Sequence, residues 1–138
     1  MPLPEWDIEY SDQFREARDR YSDQLDRHIL VSSLSRRGRG TNAERAVERK
    51  DAFDDFLQGL TRFGAKRRDP KTLPPAIDEF GDEIPRFYRF QHGSWIAYLC
   101  RDDAPARKVT RALLLFSETE LPSSLRESLD KAYLVGKS

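Results

Sequence analysis

Apolar residues alternate with acidic residues at the start of the chain and then recur at a helical spacing. From Trp6 to Tyr10 single carboxylates separate the apolar residues, and this period of two predicts a short edge strand with one apolar and one acidic face. Ser11 or Asp12 then caps a helix that reaches roughly to Leu34. The apolar stripe that predicts this helix consists of Phe14, Ala17, Tyr21, Leu25, His28 and Ile29.

A second helix is predicted after the basic, glycine-containing segment at residues 35–40. Thr41 and Glu44 have the spacing of a capping box, in which two side chains satisfy backbone groups at a helix N-terminus. The apolar stripe of this helix consists of Ala46, Val47, Phe53, Phe56, Leu57 and Leu60. Because the connection is short, the two helices are expected to form an antiparallel helical hairpin. Prolines interrupt residues 63–85, which are expected to be a long ordered loop with a short turn of helix.

The C-terminal part has the most regular pattern and predicts an antiparallel β-meander over residues 86–118, closed by a helix. Strands are expected at residues 86–90, 95–100 and 108–116, and the helix within residues 121–134. Gly93 can adopt the positive φ that a tight hairpin turn requires, and residues 101–107 are expected to form the second turn. Runs that are apolar on both faces favour central strands. The predicted order is β-α-α-loop-β-β-β-α, a mixed α/β (α+β) fold.

Length and composition favour one folded domain without a strong net charge. The chain has 138 residues, 38% hydrophobic and 35% charged, and its 24 basic and 24 acidic residues cancel. Any nucleic-acid binding must therefore come from local patches. The single cysteine, Cys100, lies in an apolar run and is expected to be buried rather than reactive, and no metal site or cofactor is predicted. The N-terminus lacks a secretion signal and no apolar run approaches about 20 residues, so a cytoplasmic protein without membrane association is expected.

Three segments carry a resemblance to a known family. WDIEYSDQF at residues 6–14 reads as a strand and a helix with an early phenylalanine, and FYRFQHGSWIAY at residues 87–98 as two strands around a glycine turn. ALLLF at residues 112–116 is followed by ELP and a helix that contains Ala132. Together they resemble the RelE/ParE superfamily of bacterial toxins, especially its HigB-like, phage-associated branch. The resemblance implies one RelE-like domain over residues 1–138, with an enlarged connection at about residues 35–85.

The resemblance also implies a function. Members of this family typically cleave mRNA at the ribosome or poison gyrase, and an antitoxin holds them inactive. This implies a growth-inhibiting toxin of a type II toxin-antitoxin system that acts on RNA as a metal-independent endoribonuclease. Its partners would be an antitoxin protein and RNA or the ribosome. In such sites positive groups orient the phosphate and stabilise its growing charge, while a base, or the electrostatic field alone, activates the 2′-OH.

Carried over to this sequence, the family pattern gives three candidate catalytic residues. Arg89 occupies a position in the first meander strand where the family often has a basic residue, and Arg86 and His92 are near it in the sequence. For Arg89 the alternative is a surface ion pair, and for His92 it is a solvated turn residue rather than a general base. The candidate nucleic-acid-binding residues, with solvated loops as the alternative, are Arg36, Arg37, Arg39, Lys66, Arg67 and Arg68.

Two functional hypotheses remain open at this point. The first is the RNA-directed toxin. The second is a catalytically inactive RelE-fold protein of a phage or prophage that binds a host protein or nucleic acid. The second is favoured by two positions at which the family carries cations, because here they are occupied by Ile96 and by Ser117 with Glu118.

Overall fold

The computed structural model describes residues 6–34, 41–65, 73–104 and 107–137 of the chain. Within these residues the chain forms a sheet and helices on both of its faces. The strands are β1 (Asp7–Tyr10), β2 (Pro75–Ile77), β3 (Glu83–His92), β4 (Trp95–Ala104) and β5 (Arg107–Ser117), and the helices are α1 (Asp12–Leu34), α2 (Thr41–Ala65) and α3 (Leu125–Lys137). The mixed α+β class expected from the sequence is therefore confirmed.

The strands form one mixed sheet in the order β1-β5-β4-β3-β2. β1 is parallel to β5, whereas β5, β4, β3 and β2 are each antiparallel to the next strand. The antiparallel meander is thus confirmed as β3, β4 and β5, and β1 lies at the edge that its alternating pattern predicted. In β4 every residue from Trp95 to Cys100 is buried, as expected for a central strand that is covered on both faces.

The start of α1 is fixed by Ser11, not by Asp12. The Ser11 hydroxyl oxygen accepts a hydrogen bond from the backbone N–H of Phe14 at 3.0 Å and donates one to the carbonyl of Leu113 at 2.7 Å. The first bond satisfies a free amide of the first helical turn, and the second attaches this turn to β5. The cap therefore sets both where the helix begins and where it sits on the sheet.

The two long helices cover one face of the sheet, here called the α1–α2 face. Its core contains a cluster of aromatic rings. The ring centroid of Trp95 in β4 lies 4.9 Å from that of Tyr21 in α1 and 4.6 Å from that of Phe53 in α2. Both contacts are edge-on, the arrangement that the ring quadrupoles favour. Further out, Lys50 of α2 lies 3.4 Å from the carboxylate of Asp26 in α1. These contacts confirm the helical hairpin and its packing on the sheet.

The opposite face, here called the α3 face, is covered by the last helix. Leu129 of α3 is completely buried, and Tyr133 contacts Phe87 of β3 with ring centroids 5.9 Å apart. At the other end of α3, Arg126 lies 3.1 Å from the carboxylate of Asp78 in the turn between β2 and β3. Cys100 is buried on this face, as predicted. The helix therefore connects the centre of the sheet to its β2 edge.

Residues 63–85 are more regular than the predicted loop. α2 extends into this stretch, β2 adds a strand, and β3 begins before residue 86. β2 forms because Ala76 pairs with Ile84 and both side chains are buried on the α3 face. The prolines favoured a loop in the sequence, but the strand contains a bulge that accommodates them. Ala76 pairs with Ile84, whereas the preceding residue, Pro75, pairs with Tyr88. Pro85 falls within this bulge, where its missing N–H leaves no ladder bond unmade.

The turn predicted at residues 101–107 is also wrong, because β4 and β5 continue through most of it. Arg101 pairs with Thr110 and Asp102 with Val109. The charged side chains are accommodated in the sheet because each has a partner close to it in space. Asp102 lies 3.1 Å from Arg111, and the guanidinium of Arg101 stacks 4.4 Å above the ring of Trp6.

The helical hairpin extends past the end of the sheet at which β3 and β4 join. By Tyr21, α1 has reached Trp95, which pairs with His92 and Ser117, the last residues of β3 and β5. At 1.5 Å per residue, Leu34 lies about 20 Å further along the helix axis. The tip of the hairpin therefore overhangs the sheet. Among the described residues no helix is long and apolar enough to cross a membrane.

Candidate functional site

Arg89, a candidate catalytic residue, lies in β3 on the α3 face of the sheet. Its partner on β4 is Tyr98, and Gln91 follows it on the same face because strand side chains alternate. Arg89 is half-buried and Gln91 is exposed, so solvent and ligands can reach both. The planar guanidinium of an arginine can donate two parallel hydrogen bonds to a phosphate. This pair is therefore a possible phosphate contact.

Tyr98, which pairs with Arg89, is a buried residue of the α3 face. Its side chain is 2% exposed and packs 6.2 Å from the ring of Phe116, so it is too deep to contact a large ligand directly. Burial raises the pKa of the Tyr98 hydroxyl, and the positive charge of Arg89 opposes that effect. The hydroxyl is accordingly protonated at neutral pH. Tyr98 gives Arg89 an apolar wall with a neutral polar group rather than a second charge.

Arg86 is placed apart from Arg89 by the bulge in β3. It is exposed and has a φ of 75°, in the left-handed region that side chains other than glycine rarely occupy. Such a conformation costs on the order of 1 kcal/mol and persists only where surrounding contacts impose it. Here the pairing of Ile84 with β2 and of Phe87 with β4 fixes the chain on both sides. The strain is therefore part of the bulge that lets β2 join the sheet.

His92 does not join Arg89. It is the last residue of β3, it pairs with Trp95, and its side chain lies on the α1–α2 face. Arg89 lies on the α3 face because the two residues are an odd number of positions apart in a regular strand. His92 is exposed in the structure. Arg89 and His92 therefore lie on opposite faces of the sheet, and Arg86 lies in the bulge.

The six candidate nucleic-acid-binding residues lie outside the described residues. Arg36, Arg37 and Arg39 fall between α1 and α2, and Lys66, Arg67 and Arg68 follow the end of α2. The two basic segments are therefore attached to opposite ends of α2. These ends are about 36 Å apart over the 25 residues of α2, at 1.5 Å per residue.

A hydrogen-bonded group at the end of the sheet was not foreseen from the sequence. The Tyr21 hydroxyl donates to Glu120 at 2.7 Å and accepts from the backbone N–H of Ser117 at 3.2 Å. Burial, and then the hydrogen bond to Glu120, raise the pKa of Tyr21. The partners are 99 positions apart for the carboxylate bond, so a tyrosine in a helical stripe gave no sign of it. The group fastens α1 to the segment between β5 and α3.

Metal-ligating side chains do not cluster in the part of the chain that the structure describes. No family model matches the sequence, and neither the curated proteins nor the solved structures gave a match. The chemistry of the site therefore rests on Arg89, its neighbours Gln91 and Tyr98, and the surfaces around them.

Proposed function

We propose that this chain is a toxin of the RelE/ParE type that acts on RNA and is neutralised by an antitoxin protein. One observation carries the proposal: the three segments that resemble this family are neighbours in a single sheet. β1, from the first segment, pairs with β5 of the third, and β5 pairs with β4 of the second. The three segments thus form one continuous part of the sheet, which supports treating them as a single resemblance of fold.

In this proposal Arg89 binds a phosphate of the RNA strand. Cleavage proceeds by attack of the 2′-oxygen on the adjacent phosphorus, which forms a 2′,3′-cyclic phosphate as the bond to the 5′-oxygen of the next nucleotide breaks. The 2′-OH proton passes to water, and the departing 5′-oxygen takes a proton from water to leave as a 5′-OH. Arg89 stabilises the negative charge that builds up on the phosphate oxygens. His92 points to the other face of the sheet, so at this position the electrostatic field alone, rather than His92, activates the 2′-OH. Gln91 supplies a neutral hydrogen-bond donor beside it.

The test is induced expression in bacteria combined with mapping of mRNA ends. We expect growth arrest and new 5′ ends with the natural chain, and a loss of cleavage on the order of 100-fold with Arg89→Ala, the usual effect of removing one donor to a developing anion. His92→Ala, on the same strand but the opposite face, is the matched control and should cleave normally. Growth arrest without new mRNA ends, unchanged by Arg89→Ala, would refute nuclease action.

A second candidate function is a RelE-fold protein that binds a host protein or nucleic acid without cleaving RNA. The separation of Arg89 and His92 onto opposite faces favours it, because cleavage sites of this kind normally bring several polar groups to one phosphate. In the same experiment this candidate predicts no new mRNA ends. Affinity purification of the tagged chain would then recover a bound partner whose retention does not depend on Arg89.

A further inference from the structure

The overhanging part of the helical hairpin carries charges that are not used in packing on the sheet. We call it the distal hairpin: residues 22–34 of α1 and 41–52 of α2. The sheet ends near Trp95, which contacts Tyr21 and Phe53, so the distal hairpin has no strand beneath it. The helix side that faces the sheet elsewhere is here open to solvent. The distal hairpin begins where Tyr21 and Phe53 contact Trp95, just after the β3–β4 turn, so this side and the end of the sheet meet at a corner.

The helical repeat shows which residues occupy this open side. On α2, Arg49 precedes the buried Phe53 by four residues, and Arg45 precedes Arg49 by another four. Residues at these intervals share one face of a helix, so both arginines continue the sheet-facing side of α2. On α1, Gln24 and His28 follow the buried Tyr21 by three and seven residues and continue the sheet-facing side in the same way.

The acidic residues of the two helices lie on the opposite side. On α2, Glu44, Glu48, Asp51 and Asp55 recur at intervals of four, three and four residues. On α1, the corresponding stripe is Asp12, Glu16, Asp19, Asp23 and Asp26. An acidic stripe on one side and arginines on the other give the distal hairpin two electrostatically different surfaces. A nearly neutral protein can thus hold a local positive patch.

Ion pairing follows the same division. Arg15 pairs with Asp12, Arg18 with Asp19, and Lys50 of α2 with Asp26 of α1, all involving the acidic stripe. By contrast, Arg45 and Arg49 are exposed and form no ion pair with any residue of the described ranges. Two cations on successive helical turns, both unpaired within the part of the chain that the structure describes, are suited to an external anion.

We propose that the sheet-facing side of the distal hairpin binds the phosphate backbone of single-stranded RNA, with Arg45 and Arg49 as the main contacts. Gln24 and His28 on α1 form the other wall of the corner. The choice of RNA rests on the proposed function, whereas the cationic surface does not. An acidic protein helix fits less well, because Val31 is the only large exposed apolar residue on this side among the described residues. Leu30 and Leu34 continue the acidic stripe instead.

The experiment measures binding of a fluorescein-labelled twelve-nucleotide uridine RNA to the full chain by anisotropy, between 50 and 300 mM KCl. The test variant is Arg45→Gln/Arg49→Gln. The matched control is Arg15→Gln/Arg62→Gln, which removes the same charge from the same two-helix unit but near the acidic stripe. Glutamine keeps the helix propensity of arginine, so both variants should retain the natural circular dichroism spectrum and melting temperature.

We expect the test variant to bind at least 10-fold more weakly at low salt. The slope of log affinity against log salt should fall by about 1.4, because two phosphate contacts are lost at about 0.7 each on a single strand. The control should stay within about 2-fold of the natural chain, since it changes only the distant field. Equal losses in the two variants, or no loss in the test variant, would overturn the proposal. Binding of poly-glutamate in preference to the RNA would overturn it as well.

The nuclease proposal and the binding-surface proposal can be tested independently of each other. The two proposals have different readouts: Arg89→Ala is assayed for cleavage of cellular mRNA, and Arg45→Gln/Arg49→Gln for affinity to the uridine RNA. RNA binding that depends on Arg45 and Arg49, together with no cleavage of cellular mRNA, would support the binding surface and refute the nuclease. Cleavage that depends on Arg89 but not on Arg45 and Arg49 would do the reverse.

Discussion

Leu129→Ala tests whether α3 closes the sheet in the way described. Leu129 is completely buried between α3 and the strands, and in the described chain α3 is the one helix on this face. Removing a buried leucine side chain from a core costs about 3 kcal/mol, the sum of lost transfer free energy and the cavity left behind. For 138 residues the entropy of unfolding is about 0.29 kcal/mol/K, so the melting temperature should fall by about 10 °C.

The assay is urea unfolding followed by tryptophan fluorescence. It follows unfolding of the whole fold, because Trp6 and Trp95 are both buried in the folded state and become exposed on unfolding. Leu134→Ala is the matched control: it is the same change in the same helix at a side chain that is 66% exposed, and it should alter the unfolding free energy by less than about 0.5 kcal/mol. Equal effects of the two substitutions would show that α3 does not pack through Leu129, and the description of the α3 face would be wrong.

Three further predictions concern contacts that the fold creates. Tyr21→Phe should lower the unfolding free energy by about 1 kcal/mol in urea titrations at pH 7, because Glu120 and the Ser117 amide lose their partner. Because the pKa of Tyr21 is raised in the folded state, its contribution to stability is complete below pH about 10 and is lost as the pH rises above that value. The difference in unfolding free energy between Tyr21→Phe and the natural chain should therefore shrink at high pH, and an unchanged difference would contradict this. Hydrogen bonds, first from the Asp82 amide, lower the pKa of Asp78, so its contribution is present above pH 3.8 and is lost below it. Asp78→Asn should therefore be less stable than the natural chain at pH 6 and equally stable near pH 2, and equal stability at both values would sink this assignment. A Cβ at Gly64 would lie 2.6 Å from Cδ1 of Ile8, so Gly64→Ala should cost about 1–3 kcal/mol and clearly less in an Ile8→Val background that lacks this atom. Equal costs in the two backgrounds would exclude that clash.

The helices and the central strands could be predicted from the sequence because their signals are local. The stripe from Phe14 to Ile29 has the period of a helix, and the uncharged run from Trp95 to Cys100 has the composition of a buried strand. Each pattern can be satisfied in only one way: a helix must bury one side, and a central strand must bury both. The turn at Gly93, which has a φ of 61°, followed from the same local rules.

The tertiary structure decided the features that depend on partners distant in the sequence. β2 is only three residues long and gains its stability from pairing with β3, so prolines alone suggested a loop. The strand ends around Asp102 depend on Arg111, which a local reading could not supply.

The candidate site divides in the same way. The alternation of β3 already indicated that Arg89 and its neighbour Tyr88 point to opposite faces. Which helices cover those faces depended on packing, and so did the overhang of α1 and α2 beyond Trp95, because helix length is local whereas the end of a sheet is set by all its strands. The sequence by itself therefore determined the elements and their amphipathic sides. The fold alone determined that Arg45 and Arg49 continue a sheet-facing side where no sheet remains to cover them.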